Sequence, residues 1–231
     1  MKRLFQKLYF VPGVSLNIKA KETVGKLNDL LKDNKDPILL NLGCGDRFLG
    51  YRSLDPQKIK TIVKFDIDSF SSVDIVGDAL CLPFKSDCFH GIICQAVLEH
   101  VEDPVAVVEG IHRTLREGGI VYVEIPFIQG YHPSPKDFYR FSLEGLEKLL
   151  SKFSRIESGV SVGPSSALSW ILREYFSGVL TGFSQNKRAH AIAFFIAGWM
   201  TFPIKYLDIL FAKRPGAHRI ASGLYFLGKK T

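Results

Sequence analysis

The sequence predicts an α/β fold: a mainly parallel sheet with helices on both faces. Three observations predict it. Short apolar runs alternate with segments of helical periodicity between residues 37 and 164. The first run ends in a glycine turn, Gly43-Cys44-Gly45. Asp66, Asp78 and Gln95 then stand at the ends of later runs. Strands alternating with helices pair in parallel through right-handed crossovers. Such sheets bind ligands beyond the carboxyl ends of their strands.

The elements follow in order. Residues 17–32 read as a polar helix with an apolar stripe at Ile18, Val24, Leu27 and Leu31. Pro37 opens Ile38-Leu39-Leu40-Asn41-Leu42, a buried strand running into the glycine turn. Residues 60–67, 73–77 and 90–96 are the next three strands. Asp103 and Pro104 supply an N-cap and a first helical residue. Val105, Val108, Ile111 and Leu115 are the apolar positions of that helix. His112, Arg113 and Arg116 suit its negative end, and Gly118-Gly119 stops it. Residues 120–125 make a fifth strand, ended by Pro126, and Ser142 precedes a short helix. Residues 155–162 make a sixth strand, and residues 166–181 an amphipathic helix with Leu168, Ile171, Leu172, Tyr175, Phe176 and Val179 on one side. Residues 191–204 are nearly all apolar, and residues 222–229 are the seventh strand.

The expected organisation is a basic helical segment at 1–36, a core at 37–164, a helical insertion at 165–216 and a final strand within 217–231. With 46% hydrophobic and 23% charged residues, the chain has an ordinary globular composition, which excludes wholesale disorder. Four cysteines lack the paired short spacings of a zinc site, and a chain of 231 residues needs no disulfide frame. Buried, reduced thiols in a cytoplasmic protein are expected. The basic start, MKRLFQKLYF, lacks the continuous apolar stretch of a signal peptide. The net charge of +7 is unevenly placed. Residues 187–231 hold eight Lys and Arg against one acid, and residues 1–36 hold eight against four. Two basic ends on a neutral-to-acidic middle point to an anionic partner, a membrane or a polyanion.

Glycines at 43 and 45 let the backbone turn sharply and let a ligand approach closely. The pattern is not a full G-x-G-x-x-G, because Phe48 stands at the third glycine position. Asp66 can accept hydrogen bonds from two ribose hydroxyls. It can equally be a turn acid, with Asp55 and Asp68 as rivals. Asp78 can accept from an exocyclic amine, with Ala79 and Leu80 flanking a flat ring; a plain turn acid is the alternative.

The segments ILLNLGCGD, KFDID, VDIVGDALCLPF, FHGIICQAVLEHVEDP and IHRTLREGGIVYVEIP occur in an order and spacing that resembles the class I methyltransferases, specifically the type 11 methyltransferase-domain family. The resemblance runs from Pro37 to about Pro126 and continues more weakly through YHPSPKDFYRFSLEGL. It implies a seven-stranded Rossmann-like sheet whose last strand inserts antiparallel beside the fifth, and S-adenosylmethionine as cofactor. The cofactor-binding set it implies is Asn41, Gly43, Cys44, Gly45, Asp66, Ile67, Asp78, Ala79, Leu80 and Gln95. One departure is that the stretch after Gly45 is not the usual long amphipathic helix, which keeps Asp55 beside Asp66 as the ribose acid.

Methyl transfer to a hydroxyl needs a base near the methyl group. His100 is the candidate catalytic residue, and a structural His closing the loop is its alternative. AVLEHV also resembles the ubiquinone-pathway O-methyltransferases, in which a Glu three residues before the Glu-His pair helps bind a metal. Here that position is Ala96, so no metal is expected. Tyr131, His132, Tyr139 and Arg140 follow the fifth strand and suit a sugar or an acidic or phosphate-bearing acceptor. The alternative is loop packing, with Arg140 paired to Asp137.

The 14-residue apolar run at 191–204 reaches about 21 Å as a helix, against about 30 Å of membrane hydrocarbon. Pro203, Lys205 and Asp208 break its extension, while Lys187, Arg188, Lys213 and Arg214 flank it. An interfacial or re-entrant element on anionic lipid fits this pattern; a hydrophobic lid or dimer contact is the alternative. Nucleic acid is not expected, because the basic residues flank a greasy segment rather than a polar aromatic groove. The function expected is O-methylation of a glycan-type or lipid-linked acceptor at the cytosolic membrane face. Its rivals are a catalytically silent cofactor-binding scaffold of a membrane complex, and a methyltransferase for a small soluble acceptor.

Overall fold

A computed structural model of the chain describes residues 11–45, 54–184 and 186–231. These form two compact units. One takes in residues 19–127, 131–161 and 224–231; the other takes in residues up to Ile18, 128–130 and 162–223.

The first unit is built on a seven-stranded sheet of order β3-β2-β1-β4-β5-β7-β6. Its strands are β1 (Ile38–Leu42), β2 (Thr61–Asp66), β3 (Ile75–Val76), β4 (Phe89–Gln95), β5 (Leu115–Pro126), β6 (Ser154–Val162) and β7 (Gly223–Lys229). The pairs β1–β2, β1–β4, β2–β3 and β4–β5 are parallel. β7 runs against β5: Gly118 N–H donates to Lys230 O, Lys230 N–H to Gly119 O, and Tyr122 meets Tyr225 further along. β1 and β4 are buried on both faces, as parallel sheets flanked by helices require.

Helix α1 (Ala20–Leu30) buries Val24 and Leu27 with Leu31, Leu39, Ile93, Ile120, Tyr122, Tyr225 and Leu227 in one cluster. Residues 19–36 are therefore part of the sheet unit rather than a separate segment. Helix α2 (Pro104–Thr114) starts as the sequence predicts, with Asp103 accepting from Ala106 N–H at 3.0 Å and Pro104 in the first turn. It ends earlier than Gly118. Leu115 already pairs with Phe89, so β5 begins at once. Arg116 thus lies on a strand, its guanidinium donating to Asp87 O at 2.9 Å. Ser142 caps α3 (Leu143–Leu149) by accepting from Gly145 N–H at 3.1 Å. Cys44 and Cys94 are buried as expected of free thiols, but Cys81 is exposed.

The second unit is helical. It holds α4 (Pro164–Thr181), α5 (Lys187–Thr201), a 3-10 stretch at Phe202–Leu207 and the short α6 (Asp208–Phe211). The amphipathic reading of α4 is correct in period and reversed in direction. Leu168, Ile171, Tyr175 and Val179 are exposed, while Ser165, Ser166, Ala167, Ser169, Ser177 and Gly178 are buried. α5 likewise buries Ala193, Ala197, Gly198 and Thr201 and exposes Ile192, Ile196, Trp199 and Met200. Ser169 Oγ donates to Thr201 O at 2.7 Å across the pair. Arg173 is buried among aromatics, 4.1 Å above the Phe194 ring. Pro203 does not end the helical path, which continues to Phe211; Lys187–Phe211 is 25 residues, long and apolar enough to cross a membrane by length and composition. Asp208 is buried because its two oxygens accept from Ser165 and Ser166 N–H at 2.7 and 2.9 Å, capping the start of α4.

Candidate active site

The site is assembled at the carboxyl ends of β1, β2 and β4. After β1, Gly43 turns the chain at φ +68°, and its N–H and that of Cys44 both donate to Phe65 O, at 2.9 and 3.1 Å. A Cβ at position 43 would fall 2.2 Å from Val97 Cγ2, so glycine is required by packing as well as by backbone angle. Gly45, at φ +61°, donates its N–H to Asp66 Oδ2 at 2.7 Å. Asp68 N–H donates to Asp66 Oδ1 at 3.0 Å. These two bonds aim a nearly buried carboxylate and leave lone pairs on each oxygen for further donors.

Asp78 is exposed and caps the 3-10 turn Ala79–Cys81, its Oδ1 accepting from Leu80 N–H at 2.9 Å. Gln95 is held from below. Its Nε2 donates to Glu124 Oε2 at 2.9 Å, and Tyr122 Oη donates to the same oxygen at 2.8 Å. Ala96 follows at φ +53°, a rare angle for a residue with a Cβ, and turns the chain away from β4.

A cleft of about 370 Å³ brings together Gly43, Gly45, Asp66, Ile67, Asp78, Ala79, Gln95 and His100. Asn41, Cys44 and Leu80 do not line it. Asn41 and Cys44 are buried in the strand and turn, and Leu80 serves through its N–H. Asp55, the rival acid, does not line the cleft. It sits in the turn before β2, at the other end of that strand, with Oδ1 accepting from Gln57 N–H at 2.9 Å. Asp68 does line the cleft. Phe48 and the stretch 46–53 after the glycine turn lie outside the described residues. Sequence reasoning missed Phe70, Val97, Val101, Ser134 and Pro135 in the wall. The last two follow β5 and reach the cleft only through the fold.

The loop after β5 is a polar network. Arg140 pairs with both oxygens of Asp137, with Nη2 to Oδ2 at 2.7 Å, and this holds the Asp137 carboxyl well below the usual range. Tyr139 Oη donates to Glu102 O at 2.9 Å, and Tyr131 is 75% exposed. None of Tyr131, His132, Tyr139 and Arg140 lines the cleft: Arg140 is turned to Asp137, Tyr139 to Glu102 and Tyr131 to solvent. His132 instead meets His100 edge to face, with ring centroids 5.4 Å apart. His100 Nδ1 is 2.6 Å from Lys136 O, and burial lowers the pKa of its ring. Glu99 is fully buried, and burial pushes its carboxyl up to about 8.

The charged groups in the cleft wall are Asp66, Asp68 and Asp78, with no Lys or Arg among the described residues. Such a wall suits a ligand with hydroxyls, an amine and a positive centre, and repels a pyrophosphate. Exposed Ile67 and Phe70 offer apolar surface to a flat ring. The residues present therefore fit a nucleoside sulfonium such as S-adenosylmethionine.

Residues 40–123 match the family model described as a methyltransferase domain. A relative from Campylobacter fetus, named tRNA U34 carboxymethyltransferase, is 30% identical over 46% of this chain and 43% of its own length. One of the same name from Sulfurimonas denitrificans is 28% identical over 62% of this chain and 49% of its own. The chain thus spans less than half the length of these relatives. A structure from Galdieria sulphuraria, described as a sarcosine dimethylglycine methyltransferase, covers 99% of this chain and 97% of its own at TM-score 0.61 and 14% identity. A phosphoethanolamine N-methyltransferase of Haemonchus contortus in complex with S-adenosyl-L-methionine covers 92% of this chain and 52% of its own at TM-score 0.54 and 17% identity. The [4+2]-cyclase SpnF covers 89% of this chain and 80% of its own at TM-score 0.53 and 17% identity, so likeness of fold does not by itself name the reaction.

Proposed function

We propose that the chain, whose residues 40–123 match the methyltransferase-domain family model, is a class I, S-adenosylmethionine-dependent methyltransferase that methylates a hydroxyl of a lipid-linked or glycan-type acceptor at a membrane face. The observation that carries the acceptor class is the reversed α4–α5 pair. Its helices meet through serine, alanine and glycine and turn Leu168, Ile171, Tyr175, Val179, Ile192, Trp199 and Met200 outward. Small residues inside and large apolar residues outside is the pattern of helices packed in lipid. Water penalises that much exposed apolar surface, and an interfacial site relieves the penalty. Lys187, Arg188, Lys205, Lys213 and Arg214 add attraction to anionic headgroups. On this reading the enzyme works from the cytoplasm as a peripheral membrane protein.

When bound, the cofactor supplies an already activated methyl group, so the protein's work is placement and proton removal. Asp66 would hold the ribose side, Asp78 and Ala79 the adenine side and Gln95 the methionine side, with Gly43 and Gly45 beneath the ligand. His100, the imidazole in the cleft wall, takes the acceptor proton.

The names of the relatives support a second reading, transfer to a tRNA. One experiment separates the two. The full chain is incubated with methyl-tritiated S-adenosylmethionine and, separately, a membrane extract, a soluble metabolite pool and total tRNA. Label in the organic-extractable or membrane glycan fraction is expected. Label in tRNA favours the second reading, and label only in the soluble pool removes the membrane acceptor. No label anywhere, with cofactor binding intact, favours a silent scaffold or a transferase whose donor carries a carboxymethyl group in place of the methyl.

A further inference from the structure

Glu99 is fully buried, and neither carboxylate oxygen meets a hydrogen-bond donor among the described residues. Asp208, equally buried, shows how this chain normally treats such a group, by giving it two main-chain N–H donors. Facing Glu99 is the imidazole of its neighbour, with Arg140, Asp137 and Glu124 near enough to act on its charge. His100 Nε2 lies 3.6 Å from Glu99 Oε1. Ligand-capable atoms of Glu99, His100 and His132 all lie within 4.8 Å of one another.

The supporting contacts are those a metal site needs. His100 Nδ1 is committed to the Lys136 carbonyl at 2.6 Å, which keeps its proton there and leaves the Nε2 lone pair for an ion. His132 is positioned through its main-chain N–H, which donates to Asp137 Oδ2 at 2.9 Å; Arg140 anchors that carboxylate and sets its Nη2 3.3 Å from His132 Nδ1, a contact that ion binding must displace. Donors about 2.1 Å from a tetrahedral zinc stand about 3.4 Å apart. The Glu99–His100 separation is already close to that, and a side-chain adjustment brings in His132. We propose that Glu99, His100 and His132 bind a divalent transition cation, of which zinc best matches two imidazoles and one carboxylate.

The expectation of no metal rested on Ala96, which removes a ligand from the β4 loop itself. The fold offers His132 from the loop after β5 instead. His100 and Pro135 also line the cofactor cleft, so an ion here borders the transfer site. There it can carry an acceptor oxygen and lower its pKa, a role that replaces proton uptake by His100, whose Nε2 the ion occupies. That use rests on the methyl-transfer reading; ion binding does not.

The test uses the full chain, stripped with chelator and titrated with Co²⁺ as an optical probe in the absence of cofactor and acceptor. One saturating equivalent with visible ligand-field bands, displaced by Zn²⁺, is expected. Glu99→Gln and His132→Asn should each weaken binding at least about 100-fold, since losing even outer-shell support costs 10–100-fold. His132 is partly exposed on its loop, so its variant keeps the test decisive if Glu99→Gln fails to fold. Absence of a saturable Co²⁺ spectrum overturns the proposal and leaves a neutral buried carboxyl. Undiminished binding in folded His132→Asn overturns it too. Neither result bears on tritium transfer, so failure of this site and failure of the proposed activity are read separately.

Discussion

Replacing Gly43 with alanine tests the geometry of the cofactor turn most directly. Two costs add. An L-residue in the left-handed region pays about 1–2 kcal/mol, and Gly43 sits at φ +68°. The new Cβ would also stand 2.2 Å from Val97 Cγ2, where carbon atoms normally rest about 3.5–4.0 Å apart. Relieving that overlap in a packed wall costs about 1–3 kcal/mol. The sum, about 2–5 kcal/mol, lowers the midpoint of thermal unfolding by about 4–20 °C in a chain of this size. The double variant Gly43→Ala/Val97→Ala separates the terms. The Val97 Cβ would be 3.5 Å from the new methyl, an ordinary contact, so truncation removes the clash and leaves the backbone cost. Circular dichroism melts of the wild type, both single variants and the double variant give the coupling energy. A coupling of about 1–3 kcal/mol in favour of the double variant is expected. Strictly additive effects, or a Gly43→Ala cost below about 0.5 kcal/mol, would refute the reasoning.

Other consequences can be checked alongside. S-adenosylhomocysteine at about 100 times its dissociation constant should stabilise the wild type by about 2.7 kcal/mol, and Asp66→Ala should abolish most of the shift. Glu157 is held at about 2, because hydrogen bonds from Lys26, Tyr225 and Lys19 outweigh the opposing effect of burial. A carboxylate depressed in the folded state contributes stability above its unfolded value of 4.5 and loses it as pH falls through about 2. Glu157→Gln should therefore cost about 1–2 kcal/mol at neutral pH after solvent screening, and should flatten the acid limb of a stability–pH curve. Asp208→Ala strips the cap from Ser165 and Ser166 N–H, and denaturant melts should show a loss of about 1–3 kcal/mol. Flotation with anionic vesicles should retain the wild type at low salt. Lys187→Glu/Arg188→Glu should weaken retention by about 1 kcal/mol or more per residue, and equal flotation of the variant and the wild type would remove the electrostatic part of the membrane reading.

Much of the site was legible because each residue is adjacent in sequence to a strand end. Gly43 and Gly45 follow β1, Asp66 ends β2, Asp78 follows β3 and Gln95 ends β4. The alternation of apolar runs sets the strands, and the parallel pairing brings their carboxyl ends to one edge. The loop after β5 was less legible. Its composition suggested recognition, yet Arg140 is taken up by Asp137 and Tyr139 by Glu102, pairings that depend on how the loop folds back. Ser134 and Pro135, the loop residues that do reach the cleft, carry no chemical signal of their own.

The sequence by itself determined the order of strands and helices, the glycine turn and the acids that follow it, because these depend on local periodicity, backbone angle and capping. It also determined that α4 has an apolar stripe. Only the tertiary structure decided which way that stripe faces, since a period of 3.6 residues marks a side of a helix and not what covers it. Packing through Ser169, Gly198 and Thr201 turned the large residues outward. The same holds for Glu99, His100 and His132. Residue types are written in the chain, but the distances between groups on separate loops are set by how β4 and β5 pair and where their loops return.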